Sequence, residues 1–165
     1  MLISKRAMLA GSAAFALSAC SSKFKTYDGP QVTRVLVYKG KRSMFLMHDD
    51  AVLKGYRFEL GFAPQGHKQQ EGDGRTPEGN YLINRRNPNS NFHLSLGIDY
   101  PNEEDVARAL EAGVDPGGDI FIHGQKSRWR KGGDDWTWGC IAVTNKEMEE
   151  IYAMVRDGTP IDIMP

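Results

Sequence analysis

Cys140 is one of only two cysteines in the 165-residue chain. It stands in Trp136-Thr137-Trp138-Gly139-Cys140-Ile141-Ala142-Val143, with the pair His123-Gly124 upstream. A thiol with an imidazole in reach is the equipment of a nucleophile and its base. A free thiol titrates near about 8.5 and is mostly protonated at neutral pH, and a neighbouring imidazole that forms a thiolate–imidazolium pair with it removes that limit. Glycine at 139 lets backbone come close to a substrate, and the N–H groups around Gly139 and Cys140 are natural donors to a tetrahedral oxyanion. Gly124 lets the chain turn sharply after the histidine. The other cysteine, Cys20, lies in an N-terminal export segment, so the body keeps a single thiol. That excludes an internal disulfide and a Cys/Cys zinc site. The alternative fate of a lone cysteine is a small, inert, buried hydrophobe.

These groups need a scaffold. Val32 to Tyr38 and Ser43 to His48, flanking Lys39-Gly40-Lys41-Arg42, predict a β-hairpin. Tyr56 to Gly61 reads as a third strand with Tyr56, Phe58 and Leu60 on one face. The loop Gly72-Asp73-Gly74-Arg75-Thr76-Pro77-Glu78-Gly79 leads to a strand at Asn80 to Asn84, and Phe92 to Gly97 predicts another. A helix is expected after Pro101 and Asn102, with Val106, Ala107 and Leu110 inward and a stop near Gly113. Ile120-Phe121-Ile122 is a short apolar strand that delivers His123 at its end. Thr144 and Glu147 spell a capping box, opening a helix whose stripe is Met148, Ile151, Tyr152 and Val155 and which Gly158 ends. Thr159 to Met164 closes the chain as a strand.

Residues 1–19 read as a signal peptide: Lys5 and Arg6 precede a run of small and apolar residues from Ala7 to Leu17 that is too short to span a bilayer. Leu17-Ser18-Ala19-Cys20 resembles the bacterial lipobox, which implies acylation of Cys20 and a stable lipid anchor. The alternative is a secretory peptide whose cysteine fell there by chance. Ser21 in place of Asp implies sorting to the outer membrane of a Gram-negative cell, facing the periplasm. Residues 20–30 are polar and aperiodic, a tether, and 31–165 suit one domain. The chain balances 21 basic against 21 acidic side chains, and no basic patch points to nucleic acid.

The order of base and nucleophile, 17 residues apart, argues against papain-like peptidases, where the cysteine comes first. With His123-Gly124 and Gly139-Cys140-Ile141-Ala142-Val143-Thr144-Asn145, and with Gly74-Arg75-Thr76-Pro77-Glu78-Gly79-Asn80-Tyr81 and Phe92-His93-Leu94-Ser95-Leu96-Gly97, the chain resembles the L,D-transpeptidase catalytic domain, often called YkuD, from about Arg34 onward. The resemblance implies a mainly β fold with flanking helices, a mixed β-sandwich. It also implies acyl transfer on peptidoglycan stem peptides through a Cys140 thioester, with His123 as proton donor and acceptor and the carbonyl after the histidine, that of Gly124, orienting its ring. No metal or organic cofactor is implied.

Many members carry histidine before the glycine and arginine soon after the cysteine. This chain has Trp138 and Ala142 there, so it looks like a subgroup with a W-T-x-G-C-I-A-V-T-N segment. The stem carboxylate then needs another cation, for which Arg75, Arg128 and Arg130 are candidates, each also readable as a solvated charge. Trp129, Trp136 and Trp138 lie between base and nucleophile, where they either wall the cleft or pin a long loop. Trp138, Arg75 and His93 are the candidate substrate-side residues, with His93 expected to support the site rather than act in it. His48 and His67 are expected at the surface. Water in place of an amine would make the same thioester chemistry a carboxypeptidase or an amidase. A wall-binding lipoprotein without catalysis is the reading from another class. Sequence leaves the acceptor and the oligomeric state open.

Overall fold

The structure is a computed structural model describing residues 22–126 and 135–165. The signal peptide, Cys20, Arg128, Trp129 and Arg130 lie outside the described residues. Among the described residues, eight strands and two helices follow in the order β1 (Arg34–Tyr38), β2 (Ser43–His48), β3 (Ala51–Arg57), β4 (Gly79–Asn87), β5 (Ser95–Ile98), α1 (Glu103–Ala112), β6 (Phe121–His123), β7 (Ile141–Ala142), α2 (Asn145–Met154) and β8 (Pro160–Met164). The strands form one curled, mixed sheet ordered β3-β2-β1-β8-β4-β5-β6-β7. Its two ends meet, because Glu59, just past β3, exchanges backbone hydrogen bonds with Ala142 of β7 at 2.9 and 2.8 Å. The mainly β architecture with two helices agrees with the expected fold class.

The β1–β2 hairpin forms where the alternation predicts it, with Tyr38 opposite Ser43, and it buries Val35, Val37, Met44 and Leu46. The third strand lies earlier than expected. A two-residue turn at Asp49-Asp50, with Asp49 at φ +50°, folds Ala51–Arg57 back on β2. This edge strand leaves Val52 58% exposed, so it lacks the buried alternation that marks a strand in sequence. Tyr56, Phe58 and Leu60 do share a buried face, but Phe58 and Leu60 belong to the segment that crosses to β7.

Helix α1 starts and stops as its caps dictate: Asn102 and Asp105 form a capping box and Gly113 closes it in the left-handed region. Its inward face is not the expected one. Leu110 is 74% exposed and Val106 39%, whereas Asp105 and Ala109 are buried. The helix is anchored through a carboxylate: Asp105 accepts from the Tyr81 hydroxyl at 2.9 Å and from the Asn102 N–H at 3.1 Å, and it pairs with Arg108 and His67.

Helix α2 opens on the Thr144–Glu147 box and buries Met148, Ile151 and Tyr152 as its stripe predicts. It ends at Met154 with Val155 as cap, before Gly158, which serves the following turn at φ +84°. The last strand is central: β8 lies parallel to β1 and antiparallel to β4. Residues of the expected tether lie along the domain, with Phe24 against the Tyr152 ring and Lys25 paired with Glu149 at 3.2 Å. Among the described residues no helix is long and apolar enough to cross a membrane.

Candidate active site

β6 presents His123 and β7 follows directly on Cys140. The two strands are parallel neighbours, with Ile122 opposite Ile141 and His123 opposite Ala142. His123 closes β6 and Cys140 stands at the entrance to β7, opposite Phe121, so strand pairing rather than proximity in sequence brings the expected base and nucleophile within two positions of each other along neighbouring strands.

His123 is 4% exposed. Its Nδ1 lies 2.6 Å from the carbonyl of Gly124, an acceptor that requires a proton on Nδ1 and leaves the Nε2 lone pair to act as base. Phe92 stacks on the ring at 4.5 Å and Trp136 stands edge-on at 5.7 Å, so Trp136 walls the imidazole. Burial lowers the histidine pKa, and the Gly124 carbonyl opposes that only in part. Gly124 is required for close approach rather than for a sharp turn: a Cβ there would come within 2.5 Å of Asn145 Oδ1 and 2.9 Å of the Phe92 carbonyl. Asn145 in turn accepts the Gln125 N–H at 2.6 Å. That bond fixes the Gly124–Gln125 peptide, and with it the carbonyl that holds the ring.

Cys140 is half-buried, and its Sγ reaches the Asp119 carbonyl at 3.5 Å. Burial pushes its pKa up to about 11; the backbone of Phe121 and Lys68 act against the rise and Asp119 adds to it. Desolvation thus favours neutral thiol and neutral imidazole, and the resting thiolate–imidazolium pair expected from sequence is disfavoured. The turn before Cys140 is held by two hydroxyls. Thr137 Oγ1 donates to the Cys140 carbonyl at 2.7 Å and accepts the Gly139 N–H at 3.2 Å. Thr76 Oγ1, fully buried, donates to the Gly139 carbonyl at 2.7 Å. Gly139 itself sits at φ +115°, and a Cβ on it would come within 2.4 Å of the Arg75 carbonyl. Of the two N–H groups expected as oxyanion donors, that of Gly139 is already engaged by Thr137.

The other expected residues fall in different places. Arg75 lends its carbonyl to the floor under Gly139, while its guanidinium lies over Gly66. Trp138 is 70% exposed, its ring edge-on to Phe62 at 5.0 Å, so among the described tryptophans it is Trp136 that contacts the base. His93, at φ +74°, packs its Cβ behind Gly124 and binds Glu149 at 3.0 Å. It lines a cavity of about 550 Å³ with Arg57, Glu59, Gln125 and Asn145. Cys140 and His123 do not line that cavity. His48 is partly exposed and contacts the Gln31 carbonyl. His67 is likewise partly exposed and also acts as a staple: its Nδ1 takes the Glu78 N–H at 2.9 Å and its Nε2 meets Asp105 at 3.1 Å.

Sequence reasoning missed Thr76, Lys39 and Asn145. Thr76 and Asn145 stand inside the phrases that carry the resemblance, but their partners are 63 and 20 residues away. Among the described residues no group of three His, Cys, Asp or Glu side chains is arranged to hold a metal ion.

The chain is 34% identical over 92 residues to the Escherichia coli (strain K12) protein named "Putative L,D-transpeptidase YafK", covering 54% of this chain and 32% of that protein. Among solved structures it is similar to the helical cell shape determining protein Pgp2 from Campylobacter jejuni, with a TM-score of 0.63 and 27% identity over 84% of this chain and 48% of that one. Bdellovibrio bacteriovorus Bd1075 shares the fold, with a TM-score of 0.59 at 22% identity over 81% of this chain and 48% of that one. The chain thus spans about a third of the first relative and about half of the other two. Residues 32–163 match the profile of the L,D-transpeptidase catalytic domain, YkuD, and the chain belongs to that family.

Proposed function

We propose that the protein is a cysteine-dependent L,D-transpeptidase acting on peptidoglycan tetrapeptide stems. The observation that supports this reading is the placement of Cys140 at the entrance to β7, beside the parallel strand β6 that ends in a His123 whose Nδ1 is held by the Gly124 carbonyl at 2.6 Å. The thiol attacks the carbonyl between the L-centre of diaminopimelate and the terminal D-alanine. As the S–C bond forms, the thiol proton passes to His123 Nε2, and the oxygen that gains charge faces the Cys140 N–H. Collapse breaks the C–N bond, and His123 returns the proton to the departing D-alanine amine. An acceptor amine then attacks the thioester, giving a proton to His123, and the thiolate that leaves recovers it.

Purified protein incubated with tetrapeptide muropeptides, with products identified by mass spectrometry, tests the reading. Released D-alanine together with amide-linked acceptor products is expected, and neither is expected from Cys140→Ala. Turnover retained in that variant overturns the assignment. Tripeptide and D-alanine alone identify water as the acceptor and make the protein a carboxypeptidase.

The cellular setting belongs to the same proposal. Lipidation at Cys20 tethers the domain to the outer membrane in the periplasm, motivated by Leu17-Ser18-Ala19-Cys20. Cys20→Ser should move the protein out of the membrane fraction, and unchanged membrane association would refute the anchor.

A further inference from the structure

Three consecutive peptide units around the nucleophile are pinned from different sides. Thr137 Oγ1 takes the N–H of Gly139 and gives its proton to the carbonyl of Cys140. Between these two contacts lies the Gly139–Cys140 peptide, and its carbonyl is held from a different part of the chain by Thr76 Oγ1 at 2.7 Å. A trans peptide is planar and sets its C=O and N–H in opposite directions. A hydroxyl that holds the Gly139 carbonyl inward therefore sets the direction of the Cys140 N–H, the donor left for the oxyanion.

Thr76 is itself held. Its side chain has no exposure, and its carbonyl accepts Lys39 Nζ at 2.8 Å. The same ammonium reaches the Gly66 carbonyl at 2.6 Å and Glu78 Oε1 at 2.8 Å. Lys39 is 2% exposed, and a buried cation is tolerated only when each of its protons has a partner. Here three acceptors from two parts of one loop meet it, so Lys39 clamps the loop that carries Thr76.

We infer that Thr76 is a positioning residue for acyl transfer, fixing the Gly139–Cys140 peptide so that the Cys140 N–H faces the reacting oxygen, with Lys39 and Glu78 holding Thr76 in place. This role rests on the reading of Cys140 as the acyl-transfer nucleophile. It separates two properties of one residue: the reactivity of the thiol toward carbon, which needs no oxyanion, and its reactivity toward a carbonyl, which does.

The experiment compares Thr76→Val, which removes the hydroxyl at nearly constant shape, with Thr76→Ser, which keeps it. Alkylation of Cys140 by iodoacetamide and acylation by a tetrapeptide or a carbapenem are followed by intact-mass spectrometry, with melting temperatures recorded alongside. For Thr76→Val, alkylation is expected within about twofold of wild type while acylation falls about 10-fold to 100-fold, the scale of a disturbed oxyanion donor. Thr76→Ser should recover most of the acylation rate. Acylation of Thr76→Val at the wild-type rate, a proportional fall in both reactions, or no recovery in Thr76→Ser would each overturn the role. Wild-type protein that is alkylated but acylated by neither donor would instead overturn the acyl-transfer reading, and this role with it.

Discussion

At Cys140 and His123, burial works against charge on both partners, and this gives the site a pH signature. Burial pushes the Cys140 thiol pKa up to about 11. Iodoacetamide alkylation of the wild type should therefore climb through pH 9 and 10, whereas a resting ion pair would give a plateau below pH 7. Alkylation already at its maximum in mild acid would show that the pair is charged after all. The imidazole shift has the opposite consequence for stability. Its folded pKa is lowered from 6.5, so below pH 6.5 the unfolded chain binds more protons and the His123 contribution is lost as pH falls. The urea midpoint of wild type should drop more steeply in that range than that of His123→Gln. If His123 is the general base, His123→Ala should also lower turnover by about 10²-fold or more. A rate within a few-fold of wild type would reject that role.

The two helices show how differently an element can be attached. Helix α2 buries an apolar stripe and places Asn145, its first residue, against the Gln125 N–H. Helix α1 is attached through Asp105, whose side chain is 1% exposed and has Tyr81, Asn102, His67 and Arg108 around it. Asp105→Ala leaves those donors without their acceptor and should destabilise the fold by about 3 kcal/mol, read as a lower urea midpoint. Leu110→Glu, on the exposed face, should change stability by about 0.5 kcal/mol or less. If the ranking came out reversed, the apolar stripe would be the true contact. For Asn145→Ala the readout is catalytic: the Gly124 carbonyl loses its fixed direction, so kcat should fall about 10-fold with KM little changed.

For the molecule as a whole, the sheet is completed by its last strand. β8 hydrogen-bonds to β1 on one side and β4 on the other, and Ile161 is fully buried in the core. Ile161→Ala should cost about 2–5 kcal/mol in urea unfolding, while Val52→Lys on the open edge strand β3 should be close to neutral. A mild effect at Ile161 would mean that the two halves of the sheet are stable without β8. Because the curl also ties β7 to Glu59, a loss at β8 should be felt at Cys140 as faster alkylation before global unfolding.

The local features were legible in the sequence because local physics sets them: the hairpin alternation, the two capping boxes, the glycines around His123 and Cys140, and the order of base and nucleophile. The family resemblance added the fold class. Partnerships across long sequence separations were not legible. Helix α1 turned out to face the interior with Asp105, since a carboxylate buries well only where Tyr81 and the Asn102 N–H come to meet it. β3 hid because an edge strand with one open face carries no buried alternation. The upward push on the thiol pKa, the engagement of the Gly139 N–H by Thr137, and the hold of Thr76 on the peptide beside Cys140 depend on desolvation and on the meeting of segments 63 residues apart. Residue types and spacing announced the chemistry, and only the curl of the sheet decided which backbone groups face it.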